Sequence, residues 1–162
     1  MTSGRTTTTD RPAPATPSRP GAPSPGSGRR LRPALAAAVA YAKERRPFGK
    51  PLSINQAIQF PLAELQTECE MLRALLHKTA WQMDTYGAFS VSDKVSMCNY
   101  RANRLCCDAA DRAMQVHGGL GYSRHRPFEH IYRHHRRYRI TEGAEEIQIR
   151  RVAQRMLKFG RK

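Results

Sequence analysis

Two long stretches of the chain repeat apolar side chains every three or four residues, and this repeat limits the possible fold more than any other feature. In the first stretch the repeating residues are Ile54, Ile58, Leu62, Leu65, Cys69, Leu72 and Leu76. In the second they are Val95, Cys98, Ala102, Leu105, Ala109, Ala113 and Val116. Such spacing places apolar groups on one face of an α-helix. No alternating strand pattern is visible and the connections are short, so the sequence predicts an all-α antiparallel helix bundle.

Capping and breaking residues give the boundaries of the first two predicted helices. Pro33 to Arg46 is helix-prone, with Pro33 tolerated in the first turn. Ser53 is a plausible N-cap for a second helix that ends near Gly87. Pro61 falls inside that helix and is expected to kink it.

The later helices follow from the same signals. Ser92 or Asp93 opens a third helix, which ends at Gly118-Gly119. A short basic helix is predicted from Phe128 to about Arg137, and a last helix from about Gly143 to Leu157.

The first 30 residues differ in composition from the rest of the chain. They are rich in Thr, Pro, Ser, Gly and Arg, contain Asp10 as a single acid, and show no apolar period. Such a segment buries too little surface to offset backbone ordering, which predicts a disordered tail over 1–30 and a helical domain over 31–162. An acid-poor, Arg-rich start also resembles a transit peptide, but its many prolines argue against the amphipathic helix of such peptides.

The formal net charge of +15 predicts attraction to polyanions such as nucleic acid, anionic membranes or phosphorylated ligands. No apolar run approaches the roughly 20 residues of a membrane span, and no signal-peptide core is visible. The four cysteines, Cys69, Cys98, Cys106 and Cys107, lack zinc-site spacing and are typical of small apolar fillers in a reducing compartment. We therefore expect a cytoplasmic protein without a metal site.

Several polar residues admit both a structural and a functional interpretation. Arg45 and Arg46 end the first helix, so they could simply cap its carbonyls or could grip a phosphate. Asn55 and Gln56 in the first turn of the second helix could face water or bind a ligand. Glu142 could be a helix-start acid stabilised by the dipole, or a catalytic base in a water-poor pocket.

Two further stretches leave alternatives open. The paired glycines Gly118-Gly119 could bring bare backbone close to a ligand. His130 to Arg139 interleaves aromatic and cationic residues, which is compatible with nucleic-acid binding. The interpretation that we favour is a solvated or intersubunit helix with Ile131 and Tyr138 facing inward.

Four segments, taken in order, resemble the C-terminal domain of the acyl-CoA dehydrogenases. They are Arg45–Leu52, Asn55–Glu64, Gln115–Tyr122 and Glu142–Gln148. Each segment alone is weak, but four in the family's order and at about its spacing are specific. The resemblance covers about three quarters of the chain and implies a four-helix bundle.

The resemblance also implies an FAD site shared between two subunits of a homodimer or homotetramer. Arg45, Arg46 and Pro47 match the segment near the FAD pyrophosphate, and Asn55 and Gln56 match a contact to its adenosine half. The residues that match backbone meeting the dinucleotide across the dimer interface are Gln115, Val116, His117, Gly118 and Gly119. Those that match a stretch packed near the cofactor are Ala144, Glu145 and Glu146.

The implied chemistry is α,β-dehydrogenation of an acyl-CoA thioester, as in fatty acid β-oxidation. Glu142 matches the base that removes the α-proton, and Gly143 matches a substrate contact. The β-hydride passes to the flavin N5, and the electrons pass to an electron-transfer flavoprotein. In a eukaryote the resemblance implies the mitochondrial matrix.

The sequence departs from the family in several places. These 162 residues do not include the family's N-terminal helical and central β-domains, so we expect little or no turnover from the isolated chain. Ala144 stands where Thr is common, and Thr141 stands where an aromatic residue is frequent. The alternative function is a non-enzymatic basic helical module that binds nucleic acid or another polyanion.

Overall fold

A computed structural model describes residues 27–141 and 143–160, with the backbone alone for 27–30. Its regular structure is entirely helical over these residues, which confirms the predicted all-α class. The helices are α1 (Ser27–Glu44), α2 (Gln56–Tyr86), α3 (Ser92–His117), α4 (Gly119–Tyr122), α5 (Phe128–Tyr138) and α6 (Glu145–Leu157). Two 3-10 turns, Pro47–Gly49 and Leu52–Ile54, connect α1 to α2.

Helix α1 begins earlier than the sequence predicts. Residues 27–30, which the composition places in the disordered tail, form its first turn, and residues 1–26 of that tail lie outside the described residues. The reason is an apolar stripe that starts before Pro33. Leu31, Leu35, Ala38 and Ala42 are all buried at helical spacing, so packing against the bundle favours helix from the preceding turn.

Helix α3 is the centre of the bundle and packs against every other helix. It runs antiparallel to α2, because Thr79 late in α2 contacts Cys98 early in α3, with 3.4 Å between Oγ1 and Sγ. Its C-terminal end lies beside that of α1, where the rings of Tyr41 and His117 stack with centroids 4.2 Å apart.

Helices α5 and α6 together fill the fourth position of the bundle. Phe128 at the start of α5 lies 4.7 Å from the His117 ring at the end of α3. Gln148 in α6 accepts a 2.9 Å hydrogen bond from Ser96 near the start of α3. The two helices therefore run antiparallel to α3 in series. Arg139 and Glu145, on either side of their break, lie opposite the middle of α3, where Arg104 binds Glu145.

One predicted helix boundary is confirmed, and two lie two residues later than predicted. Gly87 ends α2 with φ 81°, as predicted. The N-cap position of α2 is Asn55 rather than Ser53, because Ser53 lies inside the 3-10 turn Leu52–Ile54. Helix α6 begins at Glu145 rather than Gly143, whose φ of 94° is incompatible with a right-handed helix.

The core is built largely from small residues. The buried residues of α3 include Ala102, Ala109, Ala110 and Ala113, which permit close approach of its neighbours. The four cysteines are buried, and burial raises the pKa of the Cys106 thiol to about 12. Over the described residues, no helix has the length and apolar character that a membrane crossing requires, and no group of three or more His, Cys, Asp or Glu side chains could hold a metal ion.

Candidate functional site

The predicted site residues fall into two groups, the first of which lies at one end of the bundle. We call the segments Arg45–Gln56 and Gln115–Tyr122 the bundle end. The backbone N–H of Leu52 donates to the Arg45 carbonyl at 2.8 Å, which folds the α1–α2 connection back on itself. Arg45, Arg46, Asn55 and Gln56 are exposed, and Pro47 is half-buried.

The guanidiniums of Arg45 and Arg46 form no ion pair with any carboxylate that the structure describes. Beside them, Phe48 is wholly exposed and has a left-handed φ of 55°, followed by Gly49 at 81°. A left-handed conformation is uncommon for a bulky residue. The bundle end therefore presents the cations Arg45, Arg46 and Lys50 and the rings of Phe48 and Tyr122 to the outside.

The glycine-rich turn after α3 divides its predicted cofactor residues into two kinds. Gln115, Gly118 and Gly119 are exposed, whereas Val116 and His117 are buried. Val116 and His117 therefore expose little surface, in the single chain, to which a dinucleotide could bind.

The side chain of His117 belongs to the core. Its Nδ1 lies 2.8 Å from the Ala113 carbonyl, and its ring packs between Tyr41 and Phe128. Burial lowers the pKa of this imidazole, so the neutral form is favoured.

The sequence suggests that Gly118 and Gly119 bring bare backbone close to a ligand, but the glycines of this turn have other structural roles. Gly118 ends α3 with φ 60°, which favours glycine, while Gly119 is an ordinary helical residue at the start of α4. The closest approach of bare backbone occurs at Gly121. A Cβ there would lie 2.5 Å from the Met114 carbonyl oxygen. This glycine allows α4 to pack on α3 rather than on a ligand.

The second group of site residues lies at the break between α5 and α6, which we call the 139–145 loop. Glu142 lies outside the described residues. Gly143 is exposed, and Ala144 occupies the N-cap position of α6. The acids in the first turn of α6 are Glu145 and Glu146. The interpretation of Glu142 as a helix-start acid therefore stays a prediction, although α6 itself begins three residues later.

Glu145 is held by two guanidiniums, and we call Arg104, Arg139 and Glu145 the Glu145 cluster. Arg139 donates through Nε and Nη2 at 2.8 and 2.9 Å. Arg104 donates through Nε and Nη2 at 3.2 and 3.1 Å. The hydrogen bonds from Arg139 and then Arg104 lower the pKa of the Glu145 carboxyl to about 2. They also raise the pKa of both guanidiniums.

Each carboxylate oxygen of Glu145 thus accepts from both arginines, and the residue is buried. Its side chain binds only groups of the bundle that the structure describes, whereas Glu146 beside it is exposed. The predicted closeness of Ala144, Glu145 and Glu146 to a cofactor stays a prediction.

Sequence reasoning does not identify either arginine of the Glu145 cluster as part of the site. Arg139 and Glu145 flank Glu142 at three residues on either side, which is a visible local signal. Arg104 gives no such signal, because only the packing of α3 against α6 brings it to the carboxylate.

The two groups are well separated. From Arg104 to His117 the α3 axis rises about 20 Å at 1.5 Å per residue. Two surface grooves lie elsewhere, one between α1 and α2 and one where α2, α3 and α6 meet. Neither groove is lined by a predicted site residue.

Most of the chain is similar to proteins of one known family. Residues 24–157 match the family described as "Acyl-CoA dehydrogenase, C-terminal domain". "Probable acyl-CoA dehydrogenase FadE2" of Mycobacterium tuberculosis is 37% identical over 120 residues, covering 74% of this chain and 30% of that protein. The "Caffeyl-CoA reductase-Etf complex subunit CarC" of Acetobacterium woodii is 34% identical over 125 residues, covering 77% and 32%.

Among solved structures, butyryl-CoA dehydrogenase from Megasphaera elsdenii superposes with a TM-score of 0.74 at 30% identity, covering 81% of this chain and 34% of that one. The chain thus spans about a third of the length of these relatives. The helix order, the bundle and the family match over most of its length agree with one another. The chain therefore belongs to the acyl-CoA dehydrogenase family and carries its C-terminal helical domain.

Proposed function

We propose that the chain acts in the FAD-dependent α,β-dehydrogenation of an acyl-CoA thioester. The observation that carries this proposal is the family match over residues 24–157, which includes all four site segments. Glu142 takes the α-proton of the thioester onto its carboxylate. FAD, which Arg45 and Arg46 would help to hold, would supply the acceptor for the β-hydride. The products are the α,β-unsaturated acyl-CoA and the reduced cofactor.

The loop geometry supports a substrate contact at Gly143. This residue is exposed, and its φ of 94° favours glycine. Among the described residues beyond its chain neighbours, a Cβ there would meet only the Ile147 side chain, at 3.9 Å or more. An acyl-CoA can therefore approach the backbone next to the base.

The bundle end fits the phosphate-rich part of FAD. Arg45 and Arg46 keep their donors available, since no described carboxylate pairs with them. The Glu145 side chain does not fit a direct cofactor contact, because both of its oxygens already accept hydrogen bonds from arginines. The separation of about 20 Å along α3 also favours an FAD site shared between two subunits.

A homo-oligomer and an electron-transfer flavoprotein are the proposed partners. Large apolar side chains on α2 are exposed in the single chain, namely Phe60, Met71, Trp81 and Tyr86, and a second copy could cover them. The name of the Acetobacterium relative places it in an Etf complex. The buried cysteines suit the reducing cytoplasm, which we propose as the location.

The proposal is tested with a chimera in which residues 31–160 replace the matching domain of the Mycobacterium tuberculosis relative. We expect acyl-CoA-dependent reduction of an artificial electron acceptor. Glu142→Gln should lower kcat by about 10² to 10⁴, because a general base contributes that much. Glu68→Gln, which breaks the ion pair with Arg101 elsewhere in the bundle, is the matched control.

A chimera that binds FAD and keeps its rate after Glu142→Gln would overturn the assignment of the base. The isolated 162-residue chain is a separate case. We propose that it turns over little, because it spans about a third of its relatives' length. Flavin absorbance of the purified chain, recorded before and after acyl-CoA is added, should show no acyl-CoA-dependent bleaching.

A second candidate function is the binding of nucleic acid, which the outward face of α5 favours. Arg133, Arg136 and Arg137 are exposed there, and none pairs with a described carboxylate. The inward face carries Phe128, Ile131 and a buried His135, with Tyr138 half-buried. The helix is thus firmly seated while its cations point outward.

Fluorescence anisotropy with a labelled single-stranded DNA across a salt series separates the two functions. A steep loss of affinity with salt, together with no flavin binding, would favour nucleic acid. Replacing the three arginines by glutamine should then reduce the slope by about two to three. Flavin binding with a flat salt response would favour the dehydrogenase.

A further inference from the structure

The groove where α2, α3 and α6 meet has a volume of about 460 Å³ and contains none of the predicted site residues. Its apolar walls are formed by Val91, Met97, Val152 and Met156. Val91 is buried, and Met97 and Val152 are half-buried, so the bundle already holds most of these walls in place. A groove of this volume lies within the range of sites that bind small molecules.

Asp93 contributes a buried carboxylate to this groove. Its side chain is only 10% exposed. Among the residues that the structure describes, the carboxylate has the ammonium group of Lys94 as its single partner, 3.4 Å from Oδ2. The first turn of α3 is a favourable place for an acid, but buried carboxylates normally also accept hydrogen bonds. Asp93 can therefore accept a hydrogen bond from a ligand.

Arg155 contributes a cation to the same groove from α6. Its Nη2 donates to the Ser90 carbonyl at 3.1 Å, which ties the last turn of α6 to the residues just before α3. The guanidinium forms no ion pair with any carboxylate that the structure describes, Asp93 included. Asp93 and Arg155 thus place a negative and a positive group in one groove without binding each other.

We propose that this groove binds an α-amino acid with an aliphatic side chain. The ammonium group of the ligand donates to Asp93, its carboxylate accepts from Arg155, and its side chain packs on the apolar walls. A ligand that is only cationic would face both Arg155 and Lys94, which also lines the groove. A ligand that is only anionic would leave Asp93 without a donor.

This inference goes beyond the proposed dehydrogenase function and does not depend on it. The groove shares no residue with the bundle end or with the 139–145 loop. An amino acid bound there requires neither FAD nor an acyl-CoA.

The experiment titrates the full ¹⁵N-labelled chain with L-leucine and follows the amide chemical shifts. We expect shifts at the groove and a dissociation constant of about 0.1 to 1 mM. Glycine should bind at least about tenfold more weakly, because it lacks the apolar side chain. Isocaproate, which lacks the ammonium group, and isoamylamine, which lacks the carboxylate, should also each bind at least about tenfold more weakly.

Two substitutions test the charged groups separately. Asp93→Asn and Arg155→Gln should each weaken leucine binding by about tenfold or more. The matched controls are Asp84→Asn, at an exposed acid of α2, and Arg151→Gln, at an exposed arginine one turn before Arg155. Neither control residue lines the groove, so both variants should bind leucine as the wild type does.

Three results would overturn the proposal. One is the lack of shifts at the groove with leucine at about 20 mM. Another is binding of isocaproate or isoamylamine as tight as that of leucine, and the third is unchanged leucine binding in Asp93→Asn and Arg155→Gln. Should Asp93→Asn fail to fold, Arg155→Gln decides alone, because its side chain is exposed and its loss leaves the core intact.

Discussion

Arg45 and Arg139 occupy the same place in two different helices, since each follows directly after the last helical residue. Arg139 turns toward the bundle and binds the buried Glu145. Arg45 remains exposed and has no described carboxylate partner. Position at a helix end therefore does not decide the role of a cation. That role depends on whether the fold brings a carboxylate close to the guanidinium.

The contrast extends to the regions around them. The two ends of the 139–145 loop lie opposite the middle of α3, where a buried carboxylate is satisfied from within the chain. The bundle end offers donors and exposed aromatic rings that the described part of the chain does not use. We interpret the first region as one in which side chains fix the local geometry, and the second as a surface that is available to a ligand or partner.

The largest expected effect is that of Glu145→Gln on stability. Its carboxyl pKa of about 2, against an ordinary value of 4.5, corresponds to about 3 kcal/mol. Because the arginines are partly exposed, we expect a loss of about 2 to 3 kcal/mol in urea unfolding. The exposed neighbour provides the control, since Glu146→Gln should change stability by less than about 0.5 kcal/mol. Equal losses in both variants would remove the contrast.

The same carboxylate predicts a specific pH dependence. Its folded pKa is lowered, so its contribution is complete above about pH 4.5 and disappears as the pH falls toward about 2. Between about pH 4.5 and pH 3 the wild type should lose about 1.5 to 2 kcal/mol more than Glu145→Gln does. Parallel stability curves for the two proteins would show that Glu145 is not the titrating group.

Glycine replacements sharpen the description of the bundle end. Gly121→Ala should cost about 1 to 2 kcal/mol, because the new Cβ would lie 2.5 Å from the Met114 carbonyl oxygen. Gly119→Ala is the matched control, since a Cβ on its helical backbone would meet no described atom within 4 Å apart from its chain neighbours and the backbone of its own helix. Thermal unfolding should rank Gly121→Ala clearly below Gly119→Ala. The reverse order would contradict the packing of α4 on α3.

The smallest expected effect on stability comes from Arg45→Ala and Arg46→Ala. Each should change the unfolding free energy by less than about 0.5 kcal/mol, because the side chains are exposed. In the chimera each should weaken FAD binding by about tenfold or more through loss of charge-assisted bonds. Arg73→Ala, an exposed position on α2, should change neither quantity. A large stability loss at Arg45 would mean that the bundle end is internally satisfied after all.

Much of the fold can be predicted from the sequence because it depends on local patterns. The apolar stripe of α3 and the glycines Gly87 and Gly118 act within a few residues of the helices they define. The early start of α1 cannot be predicted in this way, because Leu31 stabilises the helix only when it packs on the bundle. The role of Arg104 cannot be predicted for the same reason, since it binds Glu145, which lies 41 residues away in the sequence. Resemblance singles out Glu142, but the cluster around its loop depends on tertiary packing.

The most direct test of the account follows the proton that Glu142 is proposed to remove. The chimera is incubated with a saturated acyl-CoA in deuterated water, and deuterium at the α-carbon is measured by mass spectrometry. With Glu142 present, we predict incorporation that is at least about 100-fold faster than with Glu142→Gln at equal FAD content. Equal incorporation in the two proteins would contradict the assignment of Glu142 as the base.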